Sequence, residues 1–394
     1  MPSYKYLIVG GGMTADAAVR GIREIDASGS IGIVSAEPSP PYDRPPLTKA
    51  LWKGKPFESI WRKTEEVANA TLHLRTTITR IDVGNRYAAN DGTGLSYSYD
   101  KLLLATGGTP RRLPFGNGSI IYFRTLEDYQ KLRSLAEKGD RFAIIGGGFI
   151  GSEIAAALRM NDKQVTMVFP EDGICARLFP SDLAKFVTDF YRQKGVDVLQ
   201  GKSVNGVEAE KNRMRVHITD ARPIDVDGVV AGLGIVPNLQ LITDTGLEVS
   251  DGIAVDEFLR TSQADIYAAG DVAAFRNPAL GKRIRVEHED NANTMGRIAG
   301  RNMAGASDHY DHLPSFYSDM FELGYEAVGE LDARLQTVSK WKEPFREGIV
   351  YYLREGRIRG VLLWNVWEKV DDARAAIAQA RSFTTAELDS LIPL

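Results

Sequence analysis

The chain has 394 residues, which suggests two or three domains at roughly 150 residues each. Its formal net charge of −4 leaves no basic excess for nucleic-acid binding, and its single cysteine, Cys175, cannot form an internal disulfide or a redox pair. No apolar run approaches the roughly 18 residues of a membrane span, and the scattered histidines match no metal-ligand spacing. We therefore expect no metal. Because the first predicted strand begins at Tyr4, we expect no targeting peptide and a cytoplasmic protein with a reduced thiol.

Two glycine-rich segments echo each other at an offset of 136 residues, YLIVGGGMTADAAVRGIR at 6–23 and FAIIGGGFIGSEIAAALR at 142–159. Each has the form G-x-G-x-x-[G/A] between an apolar run and a helical pattern. The motif residues are Gly10, Gly12 and Ala15 in the first copy and Gly146, Gly148 and Gly151 in the second. The first glycine allows a tight turn, the second admits a pyrophosphate, and the third small residue allows close helix packing. One match alone is compatible with an ordinary glycine-rich turn, whereas two predict a pair of Rossmann-like domains.

An acid after the next strand is the second part of such a fingerprint, because it holds the adenosine ribose. The predicted strands 31–34 and 165–169 lead to Glu37 and Glu171, which lie 27 and 25 residues after the first glycines. The alternative for each acid is a solvated loop position. Asp172 follows Glu171 directly and no arginine occurs before Arg177, so a 2′-phosphate would meet negative charge there. The second site is therefore predicted to prefer NADH to NADPH.

The remaining elements are taken in chain order. The apolar strand that begins at Lys101 leads into the glycine turn at 106–108, which is typical of a crossover into a new domain. The strand 266–269 leads to Asp271, and an acid at the carboxyl end of a parallel strand lies where ligands bind in open sheets. Residues 289–304 are predicted to form a helix whose apolar face is made by Ala292, Met295, Ala299 and Met303. The runs at 348–366 predict a hairpin that turns at 355–356, a helix is expected from Asp371, and Thr384 with Glu387 predicts a capping box.

Almost the full length of the chain resembles one family, the FAD-dependent pyridine-nucleotide oxidoreductases of the ferredoxin/rubredoxin reductase group. Within that group the chain is most similar to apoptosis-inducing factor and its bacterial relatives. The matching segments are PYDRPPLTKALW (41–52), LLATGGTPR (103–111), IIGGGFIGSEIA (144–155), AAGDVAAF (268–275), RVEHEDNANTMGRIAG (285–300), FYSD (316–319), GYEAVGE (324–330) and LREGRIRGVLLWN (353–365).

The resemblance implies an α/β fold with two Rossmann-like dinucleotide-binding domains and a small α+β C-terminal domain. The FAD domain would comprise 1–112 and 244–316, the NADH domain would be inserted as 113–243, and 317–394 would form an interface domain. FAD would be bound noncovalently, and NADH would be the second cofactor.

The resemblance also implies roles for individual residues. The residues expected to bind FAD, beyond the first glycine motif and Glu37, are Arg44, Lys49, Thr106, Gly107, Asp271, Glu289 and Tyr317. The residues expected at the NADH site, beyond the second glycine motif and Glu171, are Phe149, Ile150 and Gly234. Lys49, Glu153 and His288 are expected to be catalytic, with Glu153 paired to Lys49 and His288 near the flavin ring. The alternatives are surface charges for the pair, a structural histidine, and a core phenylalanine at 149.

Two departures from the family bear on these expectations. Relatives often have an acid where Ala36 stands and a tryptophan where Tyr317 stands, which affects the first ribose contact and stacking at the flavin. The lone Cys175 is expected to be inert, and this argues against a disulfide reductase or a cysteine peroxidase.

Two functions from different classes remain open. The first is a reductase that passes electrons from NADH through FAD to a one-electron carrier, a ferredoxin or rubredoxin. The second is a redox-responsive interaction protein that forms a long-lived charge-transfer complex with NADH, and an NADH oxidase or quinone reductase is the remaining alternative. A homodimer is compatible with either function.

Overall fold

The computed structural model describes residues 1–116, 118–210 and 213–394. The described chain separates into two compact units, each assembled from three segments. Unit 1 comprises Met1–Asp43, Glu58–Thr109 and Val236–Pro314, and unit 2 comprises Arg44–Phe57, Pro110–Ile235 and Ser315–Leu394. The four domain boundaries expected from the sequence remain a prediction.

The strands of the first half are β1 (Ser3–Val9), β2 (Ile31–Val34), β3 (Thr71–His73), β4 (Arg80–Asp82), β5 (Tyr87–Asn90), β6 (Leu95–Leu104), β7 (Gly108–Pro110), β8 (Ile120–Tyr122), β9 (Arg141–Ile145), β10 (Gln164–Phe169) and β11 (Val196–Gln200). Those of the second half are β12 (Val204–Glu210), β13 (Arg213–Ile218), β14 (Ile224–Val226), β15 (Gly228–Ala231), β16 (Ile235–Pro237), β17 (Val249–Ser250), β18 (Gly252–Ala254), β19 (Ile266–Ala268), β20 (Ala273–Asn277), β21 (Lys282–Ile284), β22 (Ser315–Met320), β23 (Leu323–Gly329), β24 (Gln336–Glu343), β25 (Glu347–Arg354) and β26 (Arg357–Trp364).

The α-helices are α1 (Met13–Ile25), α2 (Thr64–Ala68), α3 (Leu126–Lys138), α4 (Phe149–Met160), α5 (Ser181–Gln193), α6 (Glu289–Met303), α7 (Val370–Ala378) and α8 (Thr385–Leu391). Short 3₁₀ helices occur at Pro45–Leu47, Ala50–Lys53, Phe57–Ile60, Gln240–Ile242 and Gly270–Val272. No helix in the described ranges combines the length and apolar character that crossing a membrane requires.

Unit 1 is built on a mostly parallel sheet in the order β3-β2-β1-β6. β19 extends this sheet by pairing in parallel with the carboxyl-terminal end of β6. β5 and β4 continue the same sheet in antiparallel fashion. The parallel strands are buried over 6–9 of β1, 31–34 of β2 and 102–104 of β6, which are mostly isoleucine, leucine and valine, as expected where both faces of a sheet are covered. Their carboxyl ends therefore lie along one edge, where open α/β sheets bind ligands.

Helices α1 and α6 of unit 1 approach each other closely because glycines lie at the contact. A Cβ added to Gly296 would overlap the backbone oxygen of Thr14, and one added to Gly300 would overlap that of Ala18. Gly21 stands in the same relation to the backbone oxygen of Arg297. Larger side chains at these positions would force the helices apart, so the glycines determine how α6 is placed relative to the first strand–turn–helix motif.

Unit 2 contains a second parallel sheet, in the order β11-β10-β9-β15-β8. The antiparallel sheet β12-β13-β14 packs its apolar face with β15 and β8 in one buried cluster. The C-terminal part of the unit is a five-stranded antiparallel sheet, β22-β23-β26-β25-β24, followed by α7 and α8. Two parallel α/β sheets and an α+β C-terminal part confirm the predicted fold class.

Local signals in the sequence correspond to observed elements. The helix predicted at 289–304 is α6, and its four predicted apolar residues are all buried. The predicted hairpin joins β25 to β26 through Glu355 and Gly356, both at positive φ (54° and 74°), as a two-residue type I′ turn requires. Thr384 and Glu387 form the predicted capping box at the start of α8.

Candidate cofactor-binding sites

The first glycine turn joins β1 to α1 in unit 1. Gly10 has φ +122°, and a Cβ there would overlap the backbone oxygen of Ala105 at the end of β6. Gly12 is the N-cap of α1 in an extended conformation and supplies no side chain to the first helical N–H groups. Ala15, in the third motif position, is fully buried. The turn therefore has the geometry that presents the positive end of a helix to an anion, and its three motif residues fit a dinucleotide phosphate.

Other predicted residues of unit 1 lie at the carboxyl ends of the same parallel strands. Glu37 follows β2, and its Oε2 accepts a hydrogen bond from the Tyr42 hydroxyl at 2.7 Å. Thr106 and Gly107 follow β6, and Gly107 has φ +63°. Asp271 lies in the 3₁₀ turn directly after β19. The structure thus brings Glu37, Thr106, Gly107 and Asp271 to one edge of the sheet together with the glycine turn, which is where the sequence predicts FAD.

The start of α6 carries two of the predicted residues. His288 is its N-cap with an extended backbone, and Glu289 is its first residue. Beside them, Asp290 Oδ2 lies 2.7 Å from His312 Nε2. The N-terminus of a helix supplies about half a positive charge, which suits a ligand that gains negative charge.

The second glycine turn lies in unit 2 and repeats the first, and its three glycines differ in the space around them. Gly146 has φ +108°, and a Cβ there would overlap the backbone oxygen of Gly232. Gly148 is the N-cap of α4, and a Cβ there would meet no described atom within 4 Å. A Cβ on Gly151, by contrast, would overlap the backbone oxygen of Gly146. The space in front of Gly148 is thus the position at which a pyrophosphate can approach the backbone.

The remaining residues predicted for the second dinucleotide lie around that turn. Glu171 follows the carboxyl end of β10, and its Oε1 forms an ion pair with Arg177 Nη2 at 2.5 Å. Phe149 and Ile150 are the first residues of α4, and the Phe149 ring contacts Phe316 edge-on at 5.4 Å between centroids. Gly234 has φ +77° and, like Gly148, no described atom within 4 Å of an added Cβ.

A buried ion pair lies within unit 2, between Lys49 Nζ and Glu153 Oε1 at 2.7 Å. The side chains are only 10% and 4% exposed. Thr48 Oγ1 donates to Glu153 Oε2 at 2.5 Å, and Ser318 Oγ donates to Oε1 at 2.7 Å. The predicted pair is therefore present, and hydroxyls from two other segments complete the hydrogen bonding of its carboxylate, as a buried charge requires.

Segment Arg44–Phe57, which carries Arg44 and Lys49, belongs to unit 2 and not to the unit with the first glycine turn. Arg44 Nη1 donates to the backbone oxygen of Arg124 at 2.9 Å. Trp52 is buried, packs edge-on against Tyr129 and accepts a hydrogen bond from Asn161 at its backbone oxygen. These contacts fix the segment on the helices of unit 2.

Tyr317 stands close to the buried pair. Lys49 Nζ lies 5.2 Å from the centroid of the Tyr317 ring, which is the range of a cation–π contact. Tyr317 is 42% exposed, whereas the adjacent Ser318 is fully buried, as alternation along a strand requires. β22 therefore supplies both a ring and a hydroxyl to the surroundings of Lys49.

Cys175 lies in the core of unit 2 at 3% exposure. Burial raises the pKa of its thiol to about 12. Because the thiolate is the nucleophile, this residue has no reactive form near neutral pH.

Sequence reasoning did not identify Thr48, Ser318 and Asn238. Asn238 Nδ2 donates to the backbone oxygen of Thr106 at 2.8 Å, and its backbone N–H donates to that of Gly107, so it holds the turn after β6. Thr48 and Ser318 lie inside the segments 41–52 and 316–319 that carry the resemblance, next to Lys49 and Tyr317. The sequence signal that could have identified Thr48 and Ser318 is that each directly adjoins a candidate site residue.

The geometry describes a protein with two dinucleotide-binding motifs, and comparisons with known proteins agree. Residues 4–296 match the family model "Pyridine nucleotide-disulphide oxidoreductase", and residues 299–345 and 339–379 match the C-terminal model of apoptosis-inducing factor. The chain belongs to the pyridine nucleotide-disulphide oxidoreductase family. The predicted resemblance is thereby confirmed, and the family's use of FAD and NAD(H) confirms the cofactor prediction at the level of the family.

Relatives of this chain include two kinds of protein. It is 34% identical to apoptosis-inducing factor 1, mitochondrial, of Dictyostelium discoideum over 96% of this chain and 79% of that protein. It is also 34% identical to the 5,5'-dehydrodivanillate O-demethylase ferredoxin reductase subunit of a Sphingobium species, over 91% and 89% of the two chains. Among solved structures, the covalent putidaredoxin reductase–putidaredoxin complex matches with a TM-score of 0.91 and 28% identity, over 99% of this chain and 96% of that one. The chain is thus an oxidoreductase of the ferredoxin reductase type.

Proposed function

We propose that this protein is an NADH-dependent flavoprotein reductase that passes electrons through FAD to a one-electron carrier such as a ferredoxin or rubredoxin. The observation that carries the proposal is the pair of glycine turns with matching geometry, one in each unit. When bound, FAD accepts a hydride from the nicotinamide and releases the electrons singly, which is chemistry that no side chain supplies.

In this proposal unit 1 holds FAD. Gly10, Gly12 and Ala15 form the phosphate turn, Glu37 holds the adenosine ribose, and Asp271 holds the ribityl chain. Thr106, Gly107 and Glu289 complete the binding residues of unit 1. Arg44, Lys49 and Tyr317, which belong to unit 2, are proposed to bind FAD because the family resemblance implies it. The N-terminus of α6, next to His288, offsets the negative charge that the flavin gains on reduction. The support for this assignment is the common edge on which the residues of unit 1 lie.

Unit 2 holds the nicotinamide coenzyme in this proposal, with NADH preferred. Gly146, Gly148 and Gly151 form the phosphate turn, Phe149, Ile150 and Gly234 line the site, and Glu171 binds the adenosine ribose. A carboxylate at that position accepts hydrogen bonds from ribose hydroxyls and repels a 2′-phosphate. Arg177 forms an ion pair with the same carboxylate, which tempers the repulsion.

Lys49 and Glu153 are proposed to act at the flavin, with Lys49 donating from its ammonium group and Glu153 keeping that group charged and oriented. The support is the buried ion pair at 2.7 Å, because two charges are retained in a dry site only when they are paired. His288 is proposed to donate a hydrogen bond or carry a proton in the nicotinamide pocket.

The acceptor is proposed to be a small electron-carrier protein, because the relatives include a ferredoxin reductase subunit and a reductase solved in complex with putidaredoxin. A cytoplasmic location and a possible homodimer are parts of the same proposal. The second candidate, a redox-responsive interaction protein, is favoured by the match of the C-terminal residues to apoptosis-inducing factor.

Anaerobic stopped-flow spectroscopy of the FAD-loaded protein tests these proposals. We expect NADH to bleach the flavin band rapidly and an oxidised ferredoxin or rubredoxin of the host to restore it rapidly. A long-wavelength band that persists in air, with a change in oligomeric state, would instead support the interaction protein. Fast peroxide formation from oxygen alone would support an oxidase, and purified protein that takes up no flavin would refute all three.

A further inference from the structure

The carboxylate of Glu153 is the meeting point of three segments of unit 2. It projects from α4, accepts from Thr48 of segment Arg44–Phe57, and accepts from Ser318 of β22. The bonds span 105 and 165 residues of sequence. Thr48 is 6% exposed and Ser318 is fully buried, so neither hydroxyl has bulk water as an alternative partner.

The two hydroxyls divide the carboxylate between them. Oε2 receives the Thr48 hydroxyl at 2.5 Å, whereas Oε1 receives both the Ser318 hydroxyl and the Lys49 ammonium at 2.7 Å. With both oxygens engaged, the carboxylate cannot rotate without breaking a bond to a charged group, and such bonds are about twice as strong as neutral ones. The plane of the Glu153 carboxylate is therefore fixed. Because Oε1 pairs with the Lys49 ammonium group, the position of that ammonium group is fixed as well.

We propose that Thr48 and Ser318 are positioning residues that orient Glu153 and, through it, hold the ammonium group of Lys49 in place. This inference rests on the proposed function in one respect, the contribution of Lys49 to flavin reduction. It makes β22, the first strand of the C-terminal sheet, part of the Lys49 site, because Ser318 and Tyr317 both contact the Lys49–Glu153 pair from that strand.

The loss of one hydroxyl has a defined consequence. In Ser318→Ala, Oε1 keeps only Lys49, and in Thr48→Val, Oε2 loses its donor in an isosteric change. Each change removes one of the donors that hold the carboxylate, which favours its rotation and movement of the lysine. Thr48→Ser keeps the hydroxyl and removes only a methyl group, so it should behave as the wild type.

Chemical labelling measures the position of Lys49 without any turnover. The full-length protein as purified is treated with a water-soluble acetylating reagent, and acetylation of the Lys49 peptide is followed by mass spectrometry. Ser318→Ala and Thr48→Val should raise the labelling rate of Lys49 several-fold, and Thr48→Ser should leave it unchanged. The exposed Lys55 of the same segment is the internal reference.

Thr188→Val is the matched control, because Thr188 is also a buried threonine of unit 2 whose hydroxyl makes two hydrogen bonds, to the backbone of Ala184 and from that of Ile174. It removes two buried hydrogen bonds, neither of which involves Glu153. It should lower thermal stability and leave Lys49 labelling at the wild-type rate. Equal labelling of Lys49 in Thr188→Val and Thr48→Val would overturn the proposal, because it would reveal general loosening.

Stopped-flow reduction at saturating NADH supplies the functional measurement. Ser318→Ala and Thr48→Val should slow flavin reduction about tenfold with little change in the Kd for NADH. Thr48→Ser should keep the wild-type rate. If the wild type is not reduced by NADH or NADPH, the proposed function fails while the labelling result still decides the positioning role. Wild-type reduction with unchanged labelling and rates in both variants would refute the positioning role alone.

Discussion

Arg177 Nη2 lies 2.5 Å from Glu171 Oε1, on the acid that the sequence predicts as the ribose contact of the second dinucleotide. The Arg177 side chain is 81% exposed and that of Glu171 23% exposed, so the arginine is the more solvated partner. Exposed ion pairs contribute little to stability. The Arg177–Glu171 pair is instead important because it partly neutralises the negative charge that a bound coenzyme would meet at Glu171.

Substitution of Glu171 should therefore change the preference of the protein for NADH over NADPH. In Glu171→Arg, binding of NADH should weaken more than binding of NADPH, because the ribose acceptor is lost and a 2′-phosphate gains a cation. We expect the ratio of the two Kd values to shift by about tenfold or more, measured by titration of the protein with each coenzyme. Asp172→Arg, the same charge change at the exposed neighbouring position, is the control and should shift the ratio less; an equal shift would remove Glu171 from the ribose site.

Removal of Lys49 should affect both stability and flavin chemistry. Lys49→Met leaves Glu153 buried without its cation, which should cost about 3 kcal/mol of unfolding free energy. We also expect slower flavin reduction or weaker FAD retention, measured by stopped-flow and by the flavin-to-protein absorbance ratio. Lys53→Met breaks the exposed Lys53–Asp319 pair of the same segment and should change neither quantity much. Normal reduction and full flavin content in Lys49→Met would exclude the lysine from the site.

The glycines of the second turn should separate binding from folding. Gly148→Ala places a methyl group in open space at φ −83°, so the thermal midpoint should change little. The methyl occupies the approach of a pyrophosphate, so the Kd for NADH should rise at least about tenfold. Gly151→Ala meets the backbone oxygen of Gly146 and should instead lower the midpoint by several degrees. Unaltered coenzyme affinity in Gly148→Ala would contradict the assigned site.

Cys175 should be unreactive in the folded protein. Burial raises the pKa of its thiol to about 12, so the folded protein should hold very little thiolate at pH 9, where a free cysteine is more than half ionised. A thiol-reactive dye should therefore label the folded protein negligibly at pH 9 and label one thiol per chain in denaturant. Cys175→Ala should retain electron transfer from NADH to the acceptor; loss of transfer with normal flavin content would implicate the thiol in the chemistry.

Local signals accounted for much of what the sequence predicted. The glycine turns, α6 with its apolar face, the hairpin at Glu355 and the capping box at Thr384 each depend on residues close together in sequence, where spacing and turn chemistry decide the conformation. These elements were predictable from residue type and period alone.

Long-range relationships were not predictable from pattern. The assignment of segment Arg44–Phe57 to unit 2, and the hydrogen bonds of Thr48 and Ser318 to one carboxylate, depend on packing between residues more than 100 positions apart. The Lys49–Glu153 pair came from family resemblance, since no periodicity links the two positions. The ion pair of Arg177 with Glu171 depends on the loop path after β10, which composition does not determine.

The pairing of β19 with β6 has a consequence for biosynthesis. β6 ends at Leu104 and β19 begins at Ile266, so the sheet of unit 1 lacks a strand until the residues between them have been synthesised. Helix α6, which packs against α1, emerges later still. Unit 1 therefore cannot complete its sheet before β19 has been synthesised, and a translation product that stops earlier should expose an incomplete sheet edge to chaperones and proteases.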